Sequence, residues 1–281
     1  MRPSTTYRIV RVAALTCLTL FALFPLYTMV IASVSSSEQI QLGFSWLPNG
    51  VSLSPYVDMW QTIDLLHYLI NSTIVSLATT VISVILGLLA GYAICRHRFV
   101  GKGTVLHSVM ITQTFPGILF LLPLFVLYVA IDRTLGLTLI GGYVGLVITY
   151  LSFSLPFCIW LLVGYLASVP IDTEEAAMTD GCGRLEAFFR ITLRMAAPGV
   201  LAVAVFTFIS AWSEVLFASV LTNEQTRTLP IGFQLFKNAH GVVQWNQLMA
   251  ASLTISLPVI LVFLWLQRYF VRGLSAGSEK S

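Results

Sequence analysis

The sequence predicts an all-α polytopic membrane protein with six transmembrane helices and both termini in the cytoplasm. Three observations carry that prediction. Hydrophobic residues make up 57% of the 281, charged residues only 10%, and the mean hydropathy is +0.87. A soluble domain carries about 25% charged residues, so lipid must solvate most of this chain. Six segments, 12–34, 70–95, 105–131, 142–166, 199–222 and 248–270, each hold the roughly twenty apolar residues that a helix needs to cross the hydrocarbon core. The basic residues are also shared unequally between alternate loops.

The first span follows Arg2, Arg8 and Arg11 in the short segment 1–11. Its apolar run is too long for a signal peptide and predicts a retained anchor. Residues 35–69 then form an outer loop with Glu38, Asp58 and Asp64 and no Lys or Arg. Its Trp46 and Trp60 suit anchoring at the lipid headgroups, or a platform for an external partner. Gly87-x-x-x-Gly91 in the second span and Gly141-x-x-x-Gly145 at the fourth permit close helix packing. Pro25, Pro116, Pro123, Pro156 and Pro258 can kink their spans, as hinges for a bundle that must rock or as static kinks. Residues 223–247 form a second long outer loop, rich in amides, with His240 and Trp245. The tail 271–281 ends in small and polar residues.

With the N-terminus inside, the inner face carries Arg2, Arg8, Arg11, Arg96, Arg98, Lys102, Arg184, Arg190, Arg194, Arg268, Arg272 and Lys280. The outer face carries only Arg133, Arg227 and Lys237. Every inner loop contributes to this positive-inside bias, so the topology does not rest on one segment. Cys17, Cys95, Cys158 and Cys182 are far apart and form no C-x-x-C pair, which argues against a disulfide frame or a zinc site.

The inner loop 168–197 is longer than a turn between two helices requires. Pro170 ends the fourth span. Asp172 or Thr173 can cap a short helix, with Glu174 and Glu175 in its favourable first turn. Ala176 and Ala177 leave a low-relief surface that another protein can approach. Asp180 precedes Gly181, and Gly181 and Gly183 permit a sharp turn. Leu185, Phe188, Phe189 and Ile191 then suit one apolar face of a second short helix, and Phe188 or Phe189 could fill a partner's slot. An amphipathic helix on anionic lipid would account for Arg184, Arg190 and Arg194. It would not account for the acids at the start of the loop, which such lipid repels.

The stretch Glu174-Glu175-Ala176-Ala177-Met178-Thr179-Asp180-Gly181, followed after nine residues by Ile191-Thr192-Leu193, resembles the cytoplasmic coupling loop of ABC-transporter permeases. The likeness covers nearly the whole chain and is to the carbohydrate-uptake subfamily of the maltose and glycerol-phosphate type. Asn71-Ser72, Gly91-Tyr92-Ala93 with Arg96 and Arg98-Phe99, Ser154-Leu155-Pro156-Phe157, Ala211-Trp212-Ser213-Glu214 and Leu266-Gln267-Arg268-Tyr269-Phe270 fit in order and spacing. Arg194 departs from the family, which usually has Pro there, and Ser213 stands where Asn is more frequent. The resemblance implies the type I ABC importer permease fold. It implies a second permease subunit, two ATP-binding subunits that hold ATP and Mg, and an extracytoplasmic solute-binding protein that delivers a sugar. The outer loop 223–247 would contact that binding protein.

Within the spans, Glu214 costs several kcal/mol unless it pairs, faces water or is protonated. It is either a cavity-facing carboxylate near a substrate path or a structural anchor. Gln113, Tyr150, Trp212 and Ser213 could line the same path, with Ser152, Ser154, Thr207 and Ser210 beside them. Aromatic faces and hydroxyls together suit a sugar. Ser and Thr in membrane helices also commonly bond their own backbone.

The chain has no G-x-x-x-x-G-K-[ST] phosphate loop, no G-x-S-x-G elbow and no H-E-x-x-H pair. His67, His97, His107 and His240 are scattered. The chain is therefore expected to be no enzyme, to hold no cofactor or metal, and to bind no nucleic acid. A polyol, glycerol phosphate or another small solute is an alternative cargo. An ion-coupled secondary transporter is a further alternative, but it would want more buried ionisable groups than Glu214.

Overall fold

The computed structural model describes residues 5–43, 45–48, 50–237 and 241–278. Among them every regular element is helical, apart from one antiparallel bridge between Lys237 and Val243. In chain order these are α1 (Thr5–Val34), α2 (Ser37–Leu42), α3 (Ser54–Thr62), α4 (Leu65–Arg96), α5 (Lys102–Thr112), α6 (Leu121–Leu135), α7 (Tyr143–Ala167) and α8 (Ile171–Thr179). They continue with α9 (Arg184–Ala187), α10 (Leu193–Trp212), α11 (Leu216–Leu221), α12 (Leu229–Gly232) and α13 (Trp245–Ser278). A 3-10 turn, Gly117–Phe120, precedes α6, and a π segment, Phe188–Thr192, joins α9 to α10. Arg2, His240 and Lys280 lie outside the described residues, as do the side chains of Pro258 and of the stretch Leu266–Phe270.

Among the described residues, five helical stretches are long and apolar enough to cross a membrane: Thr6–Val34, Leu65–Arg96, Gly117–Leu135, Tyr143–Ala167 and Arg184–Trp212. The segment 248–270 falls within the continuous helix α13.

Two segments differ from the single helices expected. The segment 105–131 is split into α5, the 3-10 turn and α6. Pro116 supplies no N–H and disfavours helical backbone at Phe115, so the helix cannot run through. At 1.5 Å per residue, α5 is about 16 Å long, too short to cross alone. The segment 199–222 is split at Ser213–Val215 into α10 and α11. Here the Glu214 carboxylate accepts the N–H groups of Phe217 (2.9 Å) and Ala218 (3.0 Å), two donors that the start of a helix leaves unpaired.

The chain divides into two compact units, Met1–Leu66 with Gly232–Ile260, and His67–Ile231 with Leu261–Ser281. In the first, residues 6–27 of α1 are exposed all round, an apolar surface that needs lipid or another chain. Ser36 and Gln39 form a capping box on α2. Amides then tie the loops together. Ser37 Oγ donates to Gln244 Oε1 (3.0 Å), Asn246 Nδ2 donates to the Ser35 carbonyl (3.4 Å), and Thr62 Oγ1 donates to Gln247 Oε1 (2.6 Å).

In the second unit, α4, α6, α7, α10 and α11 enclose the core. Val75, Leu146, Tyr150, Ala218 and Leu221 belong to one cluster, and Cys158, Leu162 and Val203 form another. Gly87 lets α4 approach α7, because a Cβ there would stand 2.9 Å from Leu162 Cδ1. Gly141 and Gly145 do not serve helix packing as expected. Gly141 takes a positive φ of 76°, and a Cβ on Gly145 would strike the Leu139 carbonyl at 2.1 Å. These two glycines close the turn before α7 instead.

Candidate coupling loop and transport cavity

The loop after α7 is built around one buried carboxylate. Glu174, on α8, is 3% exposed. Its Oε2 accepts from Arg96 Nε (2.9 Å) and Thr192 Oγ1 (2.9 Å), and its Oε1 accepts from the Tyr92 hydroxyl. Arg96 Nη2 also donates to the Val169 carbonyl (3.2 Å), at the end of α7. Burial by itself raises the carboxyl's pKa. The hydrogen bonds from Tyr92, Arg96 and Thr192 and the Arg96 charge outweigh it and hold Glu174 below the usual carboxylate range. Glu174, expected in the first turn of the loop helix, therefore points into the protein. The expected cap is also absent: Pro170 occupies the N-cap position, and Thr173 Oγ1 donates back to the Pro170 carbonyl (2.7 Å).

The remaining loop residues divide cleanly. Glu175, Ala176, Asp180, Gly181 and Phe189 are exposed, Ala177 is half-buried, and Phe188 is buried. Phe188 packs edge-on against Tyr92 at a centroid distance of 4.6 Å, whereas the Phe189 side chain is exposed. Gly181 ends α8 at φ +94°, with Cys182 N donating to the Ala177 carbonyl (3.1 Å). Arg194 is exposed, and with no proline there the helix runs unbroken from Arg184 to Trp212 through the π segment.

Deeper in this unit lies a cavity of about 460 Å³. Gln113, Tyr150 and Glu214 line it, with Thr79, Ser154, Thr207, Ser210, Phe153, Phe157, Phe206 and Phe217. Phe157 and Phe206 are 4.4 Å apart, and Phe153 stacks on Phe217 at 4.9 Å. Gln113 Nε2 donates to the Phe153 carbonyl (3.0 Å). The hydroxyls of Tyr150 and Thr79 are buried without a regular hydrogen bond, in a wall that the Glu214 carboxylate also faces. Glu214 combines the two roles expected of it as alternatives, because its oxygens cap α11 while it lines the cavity. Trp212 and Ser213 are not brought there. Trp212 stacks on Phe208 at 5.3 Å, and Ser213 Oγ donates to the Ile209 carbonyl (2.8 Å). Ser152 likewise bonds its own helix, at the Ile148 carbonyl. A larger groove of about 730 Å³ between α5 and α7 is mostly apolar, and its Ser168 and His107 bond the chain next to them.

At the opposite end of α4, Asn71 is fully buried. Its Nδ2 donates to the carbonyls of Gln225 (3.0 Å) and Arg227 (2.8 Å), and its Oδ1 accepts from the Tyr143 hydroxyl (2.7 Å). Ser72 Oγ accepts from Leu229 N (2.7 Å). The segment 225–229 is thereby pinned to α4.

Sequence reasoning missed Thr79 and the four phenylalanines of the cavity, since one Thr or Phe among many in apolar spans carries no local signal. It also missed the pairing of Glu174 with Arg96, 78 residues away.

The described residues thus form a helical frame long and apolar enough to cross a membrane, with a buried clamp behind an exposed polar loop. Residues 83–276 match the family of binding-protein-dependent transport system inner membrane components, and the chain belongs to that family. It is 35% identical over 261 residues to the inner membrane ABC transporter permease protein YcjP of Escherichia coli, covering 90% of each chain. It is 33% identical over 237 residues to the sulfoquinovosyl glycerol transport system permease protein SmoH of Agrobacterium fabrum, covering 84% of this chain and 81% of that one. The fold matches a chain of a bacterial ABC transporter involved in alginate import with a TM-score of 0.78, at 22% identity, over 96% of this chain and 98% of that one. The protein is thus a non-enzymatic, multi-pass inner-membrane permease of the ABC importer class.

Proposed function

We propose that this chain is one of two permease subunits of an ATP-driven sugar importer. It crosses the membrane six times with both termini in the cytoplasm, and it contributes half of the translocation path. Two ATP-binding subunits hold ATP and Mg, and one of them docks on the exposed face of Glu175, Ala176, Asp180, Gly181 and Phe189. An extracytoplasmic binding protein delivers the sugar near the outer loop 223–247. The observation that carries this reading is the division of the loop. One face of α8 is locked to the membrane helices while the other, polar and low in relief, is exposed. A sugar as cargo is supported by a cavity that pairs aromatic faces with hydroxyls, and by relatives such as the sulfoquinovosyl glycerol permease.

Purification of the tagged chain from its own cells in mild detergent tests the reading. An ATP-binding subunit and a second permease should accompany it. Glu175→Lys and Gly181→Asp should stay membrane-inserted but lose the ATP-binding subunit and transport-coupled ATP hydrolysis. Normal transport in either variant would refute docking through this face.

A further inference from the structure

We infer that Glu174 is a positioning residue that keys the coupling loop to two membrane helices through Arg96, and that it does not meet the ATP-binding subunit. The inference rests on the docking reading of the loop. Glu174 is 3% exposed, so no partner can reach its carboxylate without dismantling the loop. Its three hydrogen-bond donors come from two different places. Tyr92 and Arg96 are at the end of α4, and Thr192 is in the π segment that leads into α10. Arg96 in turn holds the Val169 carbonyl, where α7 ends. One carboxylate thus joins α8 to the ends of α4, α7 and α10.

The chemistry suits the transmission of a force better than it suits simple cohesion. Well-packed apolar side chains would hold α8 in place as firmly, because a buried ion pair spends most of its attraction on desolvation. Apolar contacts, however, can slide. Charge-assisted hydrogen bonds are short and directional, so a displacement of α8 must carry the Arg96 end of α4 with it. The neighbouring Glu175 is exposed and makes no such bond. The two adjacent acids therefore have opposite tasks: Glu175 meets the partner and Glu174 passes the movement on.

The test uses the assembled transporter in proteoliposomes and reads three quantities: co-purified ATP-binding subunit, thermal stability, and solute moved per ATP hydrolysed. Glu174→Gln and Arg96→Gln should keep the ATP-binding subunit, because the docking face is untouched. Solute moved per ATP should fall by about tenfold, the change that a hydrogen bond to a charged group carries. The double variant, which no longer strands one buried charge, should recover stability toward wild type but not coupling. Thr192→Val, which removes one neutral donor, should assemble normally and lose coupling by about twofold to fivefold; it serves where the charge variants do not fold. Recovery of coupling together with stability in the double variant would make the pair merely structural and overturn the inference. Loss of the ATP-binding subunit from Glu174→Gln would place Glu174 on the docking face and overturn it equally. Glu175→Lys, run in parallel, separates the two readings: if it stays docked and coupled, the docking reading itself has failed.

Discussion

At its Asn71 end α4 is held by neutral hydrogen bonds, and at its Arg96 end it is held by charge. Asn71 makes three hydrogen bonds with no formal charge, to loop carbonyls and to the Tyr143 hydroxyl. Arg96 meets a carboxylate that also binds Tyr92 and Thr192. The difference lies in what each end can lose. Removing an amide leaves polar groups unpaired, but removing one member of an ion pair leaves a bare charge in a dry place. Glu174→Ala should therefore be the most damaging single change, lowering stability by about 3–5 kcal/mol as Arg96 loses its partner. Asn71→Ala should cost about 1–3 kcal/mol for the groups it strands. Thermal unfolding of the purified variants orders them, and an equal or reversed order would remove the distinction between the two ends.

Acid should separate the two ends as well, because only the Glu174 end titrates. Glu174 has a lower pKa folded than unfolded, so the folded chain holds fewer protons at that site. Its contribution is complete above the ordinary carboxylate range and is lost as the pH falls through the lowered folded value. In that acid window wild type should lose stability more steeply than Glu174→Gln, which has nothing there to titrate. Asn71→Ala should keep the wild-type slope. Parallel slopes for wild type and Glu174→Gln would mean that Glu174 is not held charged by Arg96.

The sequence makes the membrane frame and the position of the loop legible, because apolar length, basic bias and the Glu-Ala-Ala pattern are local signals. Within that loop the structure exposes Glu175, Asp180, Gly181 and Phe189, a division that the sequence reading did not make. Glu174 and Phe188 go the other way, and nothing local shows it: at one residue's remove a helix turns through about 100°. Which of two adjacent acids faces inward is decided by Arg96 and Tyr92, far away in the chain. The breaks at Pro116 and Glu214 have a local cause, yet hydropathy averages over them. Trp212 and Ser213 share a motif with Glu214 but not its cavity, because α10 ends at Trp212 and the backbone changes direction before Glu214. Gly141 and Gly145 show the reverse, a helix-packing spacing that the chain uses to build a turn.

A second arginine–glutamate pair in the same loop gives the smallest expected effect and the sharpest control. Arg190 Nη2 and Glu186 Oε1 are 2.9 Å apart, the same separation as Arg96 and Glu174. Their side chains are 67% and 42% exposed, against 10% and 4% for the clamp. Water solvates the exposed charges whether or not they pair, and salt screens them, so such a pair is worth about 0–1 kcal/mol. Glu186→Gln should leave stability within about 1 kcal/mol of wild type, and the small difference should vanish as salt is raised. The defect of Glu174→Gln should persist in the same salt, because its partner remains buried. Distance is identical in the two pairs, so burial is the variable that separates them. If both variants responded alike to salt, the clamp would be as open to water as the surface pair, and its hold on α8 would be weak.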